Sequence, residues 1–164
     1  MSLNINNYVD DGFVKVCKVR HPGSWTFHWE YYEQNTSIMY SSHCSWVYVI
    51  CVDDTIVKLG ETGNPLGIQT YWGDQPITGS KSRLGRYMNG DGTDMHIREE
   101  LANEVKQGKV SIWARACKTV LVENKIAGRT VNSLTTVHKA LELQYLDHIR
   151  RTTGGYPKLN KSRK

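Results

Sequence analysis

A chain of 164 residues, 39% hydrophobic and 23% charged, suffices for one domain with a real core and is too short for two. Its 21 lysines and arginines against 16 acids leave a net charge of +5, which favours an anionic partner and excludes an intrinsically disordered chain. No run nears the ~20 apolar residues that span a bilayer, and "MSLNINNYVDD" lacks the layout of a signal peptide, so a membrane protein is excluded and an intracellular one expected.

Residues 1–45 read as an N-terminal extension that packs on or extends the core, with aromatics crowded between Trp25 and Tyr40. Within it "FVKVCKVR" (13–20) alternates as a half-buried strand does, and His21-Pro22-Gly23 stops it. Trp46 to Val52 is a dense run of β-formers, Asp53-Asp54 a tight turn, and Thr55 to Gly60 the return strand of a hairpin. Glycines with Pro65 and Pro76 mark 62–80 as loop, followed by a short helix around Ser82–Met88 that ends at "NGDGT". Thr93 or Asp94 caps the next helix, which carries Ile97, Leu101 and Val105 on one face and closes at Gly108. "KVSIWARAC" (109–117) is a third strand, and 118–131 an ambiguous, partly β-like connection. The periodicity predicts a long helix from about Ser133 to Thr152, with Leu134, Val137, Leu141, Tyr145 and Ile149 aligned and Gly154-Gly155 at its end. The order predicts an α+β fold, a small three-stranded antiparallel sheet flanked by helices, with residues 46–164 as its domain.

Cys17, Cys44, Cys51 and Cys117 form no CxxC pair and read as reduced thiols. Neither Cys17-x-x-x-His21 nor His43-Cys44 has the paired-ligand spacing usual in a zinc site.

Lys58 is the residue out of pattern, a charge inside the return strand of the hairpin. A strict two-residue turn sets Ile50 opposite Val57 and Tyr48 opposite Leu59, which points Lys58 away from Tyr48. One extra residue, as in a bulge, brings the two to one face. The pattern leaves both registers open.

"VYV" (47–49), then "KLG" (58–60), "SRLGRY" (82–87), "ALELQYL" (140–146) and "PKLN" (157–160) together resemble, in kind, order and spacing, the GIY-YIG nuclease family. The resemblance spans Trp46 to Asn160 and is closest to the small stand-alone branch of restriction and phage endonucleases, in which lysine can replace the second motif tyrosine. Two departures stand: the first half-motif lacks its leading glycine, and the second reads Lys-Leu-Gly.

The resemblance implies a metal-dependent endonuclease acting on double-stranded DNA, in a bacterial or phage-infected cell. Tyr48 would help activate the attacking water, and Lys58 would favour its ionised form. Arg83 would stabilise charge on the scissile phosphate, with Arg86 the competing choice, and Tyr87 would bond the phosphate or water. Glu142 would hold one Mg²⁺ or Mn²⁺, and Asn160 would brace the site. Lys81, Arg86 and His96 are candidate DNA contacts, and Glu61 an exposed acid near the substrate entrance. Cutting two strands with one site per chain favours a homodimer. Taken singly, each residue has an ordinary use: Tyr48 as a cross-strand aromatic, Lys58 on an edge strand, Glu142 bordering the apolar stripe of its helix with a salt-bridge partner. The rival function is a catalytically inactive nucleic-acid-binding module of the same fold.

Overall fold

A run as apolar as "SWVYVICV" suits a strand covered on both faces, and that is where it lies. The computed structural model describes residues 3–20, 28–31, 45–63, 71–72, 75–76 and 95–160. Strands β1 (Val14–Arg20), β2 (His28–Tyr31), β3 (Ser45–Val52) and β4 (Thr55–Thr62) are followed by a minimal pair, β5 (Tyr71–Trp72) and β6 (Gln75–Pro76). Helix α1 (Met95–Lys106), strands β7 (Val110–Cys117), β8 (Thr119–Ile126) and β9 (Arg129–Thr136), and helix α2 (His138–Thr153) complete the order. A 3-10 helix, Ile5–Asp11, opens the described chain; the Asn6 amide donates to Asn4 Oδ1 at 2.8 Å at its start.

Among the described residues the central sheet has five strands, ordered β2-β1-β7-β3-β4, rather than the three expected. The two extra strands come from the N-terminal segment, where β1 pairs antiparallel with β7 and β2 with β1. β3 is buried along nearly its whole length and splits its side chains between two cores. Trp46, Tyr48 and Ile50 meet Ile97, Leu101 and Val105 of α1 on one face. Val47 and Val49 meet Ile5, Leu59, and Leu146 and Ile149 of α2 on the other. Burying each leucine or isoleucine of this kind contributes about 1.5–3 kcal/mol.

The long helix begins at His138, not near Ser133. Residues 119–136 form instead a two-stranded ribbon closed by Ala127 (φ 49°) and Gly128 (φ 77°), the positive pair a type I′ turn demands. Leu134 satisfies the helical period but stands opposite Leu121, because threonine and valine crowd this stretch and favour strand. The helix expected at 82–88 lies outside the described residues. Among those described, no helix is long and apolar enough to cross a membrane.

Candidate active site

The β3–β4 hairpin closes, as its sequence predicts, on Asp53-Asp54, with Val52 opposite Thr55 and Asp53 left-handed at φ 51°. Its register then slips. Ile50 pairs with Lys58 and Cys51 with Ile56, so Val57 is the extra residue of a β-bulge. Beyond it Tyr48 pairs with Gly60, not Leu59. Paired residues share a face, so Tyr48, Ile50, Lys58 and Gly60 all project to the α1 side. Lys58 is thereby a diagonal neighbour of Tyr48, within reach of a long side chain.

The Tyr48 ring lies across Gly60: a Cβ there would sit 2.5 Å from Tyr48 Oη and 2.7 Å from Cζ. The hydroxyl therefore arrives at β4, the last strand of the sheet. Tyr48 itself is buried, with 0% exposure.

The outer side of β4 is held by the tail. Helix α2 ends on left-handed Gly154 (φ 81°), and the chain returns along the strand. The Leu159 amide donates to Val57 O at 2.8 Å, and Lys158 pairs with Glu100 of α1 at 3.0 Å. Asn160 Oδ1 accepts from the Leu59 amide at 2.8 Å while its Nδ2 donates to Leu59 O at 2.7 Å. The carboxamide thus takes the place of a neighbouring strand's peptide, between Lys58 and Gly60. Asn160→Ala is expected to cost about 1–3 kcal/mol, since it leaves strand polar groups without partners. Asn160→Asp keeps the acceptor but sets an oxygen against Leu59 O, so it should recover little in a urea melt. A wild-type midpoint for both variants would remove the bracing role.

Glu142 comes from the other direction. It is 8% exposed and lies in the buried row of α2 with Leu146 and Ile149, which packs on the Val47 and Val49 side. Tyr48 and Glu142 approach the β3–β4 pair from opposite faces, so a centre using both sits at the β4 edge rather than over either face. Oxygen donors of this kind suit a hard divalent cation. No group of three or more histidine, cysteine or acidic residues able to hold a metal occurs among the described residues. A magnesium ion fits such a place, because it commonly keeps waters and substrate phosphates in its shell.

One turn before Glu142, His138 Nε2 lies 3.2 Å from Glu61 Oε2, and its Nδ1 lies 2.8 Å from Thr136 Oγ1. Glu61 is thus a half-buried partner of a histidine, not the exposed acid expected. Gly63 makes room for this ring, since a Cβ there would meet His138 Nε2 at 2.9 Å. The His138–Glu142 spacing, i to i+4, was the available signal for it. A further anchor holds α2 across the same face. Arg115 of β7 donates to Tyr145 Oη, which donates to Asp11 Oδ2 at 3.0 Å. Burial and the bond to Asp11 push the Tyr145 phenol up to about 12, so it remains a donor at neutral pH.

His96 is half-buried in the first turn of α1. Lys81, Arg83, Arg86 and Tyr87 lie outside the described residues.

No protein-family model and no curated protein matches the sequence. Among solved structures, a mutant of bacteriophage T4 EndoII superposes with a TM-score of 0.59 at 12% identity, covering 97% of this chain and 99% of that one. The fold is similar to that of T4 EndoII. The restriction endonuclease HPY188I, solved in complex with product DNA, gives a TM-score of 0.48 at 15% identity over 95% of this chain and 84% of that one.

Proposed function

We propose that the chain is a metal-dependent DNA endonuclease of the GIY-YIG type. The observation that carries the reading is the bulged register that lays Tyr48 over Gly60 and turns Lys58 to the same face. A simple hairpin would separate the two. The similarity of fold to an endonuclease adds to it, as does the Asn160 brace beside Lys58.

In this reading Tyr48 takes the proton of the attacking water, and the ammonium of Lys58 favours the phenolate that can do so. Glu142 holds Mg²⁺ or Mn²⁺, which supplies charge neutralisation at the leaving oxygen. His138 and Glu61 fix the first turn of α2 and, through it, the position of Glu142. Arg83, or Arg86 in its place, neutralises the non-bridging oxygens, and Tyr87 bonds the phosphate. Lys81 and His96 contact the DNA backbone.

The complete burial of Tyr48 favours a second reading, a catalytically silent nucleic-acid-binding module. A supercoiled plasmid separates the two. The endonuclease nicks it with Mg²⁺, stops with EDTA, and loses the activity by at least 10²-fold in Glu142→Ala while still binding duplex. Salt-sensitive binding with no nicking by the wild type supports the silent module.

A further inference from the structure

A cavity of about 420 Å³ opens between the 3-10 helix, β7 and α2, with Asp11, Arg115 and Tyr145 in its wall. That volume falls within the ~300–1,000 Å³ of small-molecule sites. The cavity lies beside β7, on the far side of β3 from the β4 edge and its proposed nuclease centre. Arg115 is half-buried and Asp11 exposed, so their row runs from the interior to the mouth. Tyr8, Leu141 and His148 add aromatic and apolar surface around it.

The hydrogen bonds along that row determine what it offers a ligand. Arg115 donates to Tyr145 Oη, and Tyr145 Oη donates to Asp11 Oδ2 at 3.0 Å. A phenol has one proton and two lone pairs. The proton of Tyr145 is committed to Asp11 and one lone pair to Arg115, which leaves the other lone pair as an acceptor. A guanidinium has several N–H groups, and among the described residues Arg115 gives one, to Tyr145, so it remains a donor. A carboxylate only accepts. Read from Arg115 to Asp11, the row is donor, acceptor, acceptor. Cytosine presents the same order to its partner in a base pair: amine, ring nitrogen, carbonyl.

We infer that the cavity binds a guanine base edge-on to this row, with O6 accepting from Arg115, N1–H donating to Tyr145 Oη and the exocyclic amine donating to Asp11. The other bases fail in at least one position. Thymine meets Asp11 with a carbonyl, adenine meets Arg115 with an amine, and cytosine meets Tyr145 with a second acceptor. The bond to Asp11 is charge-assisted and therefore the strongest discriminator. Tyr8 and His148 suit a purine because base–aromatic contact tolerates any base and leaves the choice to the edge. A free guanine nucleotide and an unpaired guanine of a DNA strand present the same edge, whereas a paired guanine does not. The pocket does not rest on the nuclease reading, because binding and not cleavage reports it.

Calorimetric titration of the full chain in EDTA tests it. Deoxyguanosine monophosphate is expected to bind saturably with a dissociation constant below about 1 mM. Deoxyinosine monophosphate, which lacks only the exocyclic amine, should bind at least about tenfold more weakly, and the adenine and cytosine nucleotides should not compete. Asp11→Asn gives the decisive variant. Its carboxamide oxygen still accepts from Tyr145 while its N–H turns outward, so the variant should lose guanine and gain xanthosine monophosphate, whose carbonyl replaces the amine. A residue that merely anchors α2 would not exchange one purine for another. A duplex with one bulged guanine separates the sources. Binding at least tenfold tighter than to the fully paired duplex, lost in Asp11→Asn, assigns the base to DNA; equal binding to both duplexes assigns it to a free nucleotide, and either upholds the pocket. No saturable binding of deoxyguanosine monophosphate by the wild type overturns it, as does equal affinity for the adenine nucleotide. A folded Asp11→Asn that keeps wild-type preference for guanine overturns it too.

Discussion

Lys58→Met is expected to lower phosphodiester cleavage by about 10²- to 10⁴-fold while duplex binding at the same salt stays within a few-fold of wild type. Methionine keeps most of the aliphatic stem and its packing and removes only the ammonium. If Lys58 is an ordinary edge-strand lysine, with its stem on the strand and its head in solvent, that change costs little in any assay. If its charge sits beside Tyr48, the loss falls on the chemical step. Lysine presents a compact charge, and arginine a plane that cannot occupy the same place, so Lys58→Arg should retain only part of the rate. Nicking rates with saturating Mg²⁺, set beside gel-shift affinities, separate the cases. Cleavage by Lys58→Met at the wild-type rate takes Lys58 out of the mechanism.

The reason this prediction can be made lies in one residue that no pattern in the chain announces. The alternation of "TIVKLG" is compatible with Val57 or Lys58 facing Tyr48, and a bulge leaves no mark on it. The elements themselves were legible: β3 from its density of β-formers, α1 from the spacing of Ile97, Leu101 and Val105, all buried in the structure. What long-range contact decides was not. Asn160 reaches Leu59 across 101 positions, and local chemistry at Asn160 reads only as a turn residue after Pro157. Leu134 and Val137 fit a helical period and point to a start of α2 near Ser133, but their neighbours are β-formers and the helix starts at His138, so the period conceals both the exposed ribbon and His138. The set Tyr48, Lys58, Glu142 and Asn160 came from a family resemblance in order and spacing. The fold is similar to that of T4 EndoII, and the register and the Asn160 bonds place Tyr48, Lys58 and Asn160 on one strand pair.

Gly60→Ala is the second large expected effect, and it differs from Lys58→Met in striking stability and activity together. The added methyl would lie 2.5 Å from Tyr48 Oη, 2.7 Å from Cζ and 3.0 Å from Cε1, closer than carbon atoms in proteins approach. The ring cannot swing clear, because Tyr48 is enclosed by the α1-side core. Forcing a methyl into such a place costs about 1–3 kcal/mol, which at this chain length lowers the melting temperature by roughly 2–4 °C per kcal/mol. The rate should fall further than the stability does, since relief of the overlap moves the hydroxyl that the proposed chemistry needs. Two comparisons make the interpretation specific. Gly63→Ala meets the tip of the His138 ring, 2.9 Å away, where a small shift of an imidazole suffices, so it should cost less in melting temperature. Tyr48→Phe removes the nearest of the three overlapping atoms, so Gly60→Ala should destabilise less in that background than in the wild type. Equal destabilisation in both backgrounds would mean that the hydroxyl does not cross Gly60, and with it would go the placement of Tyr48 at the β4 edge.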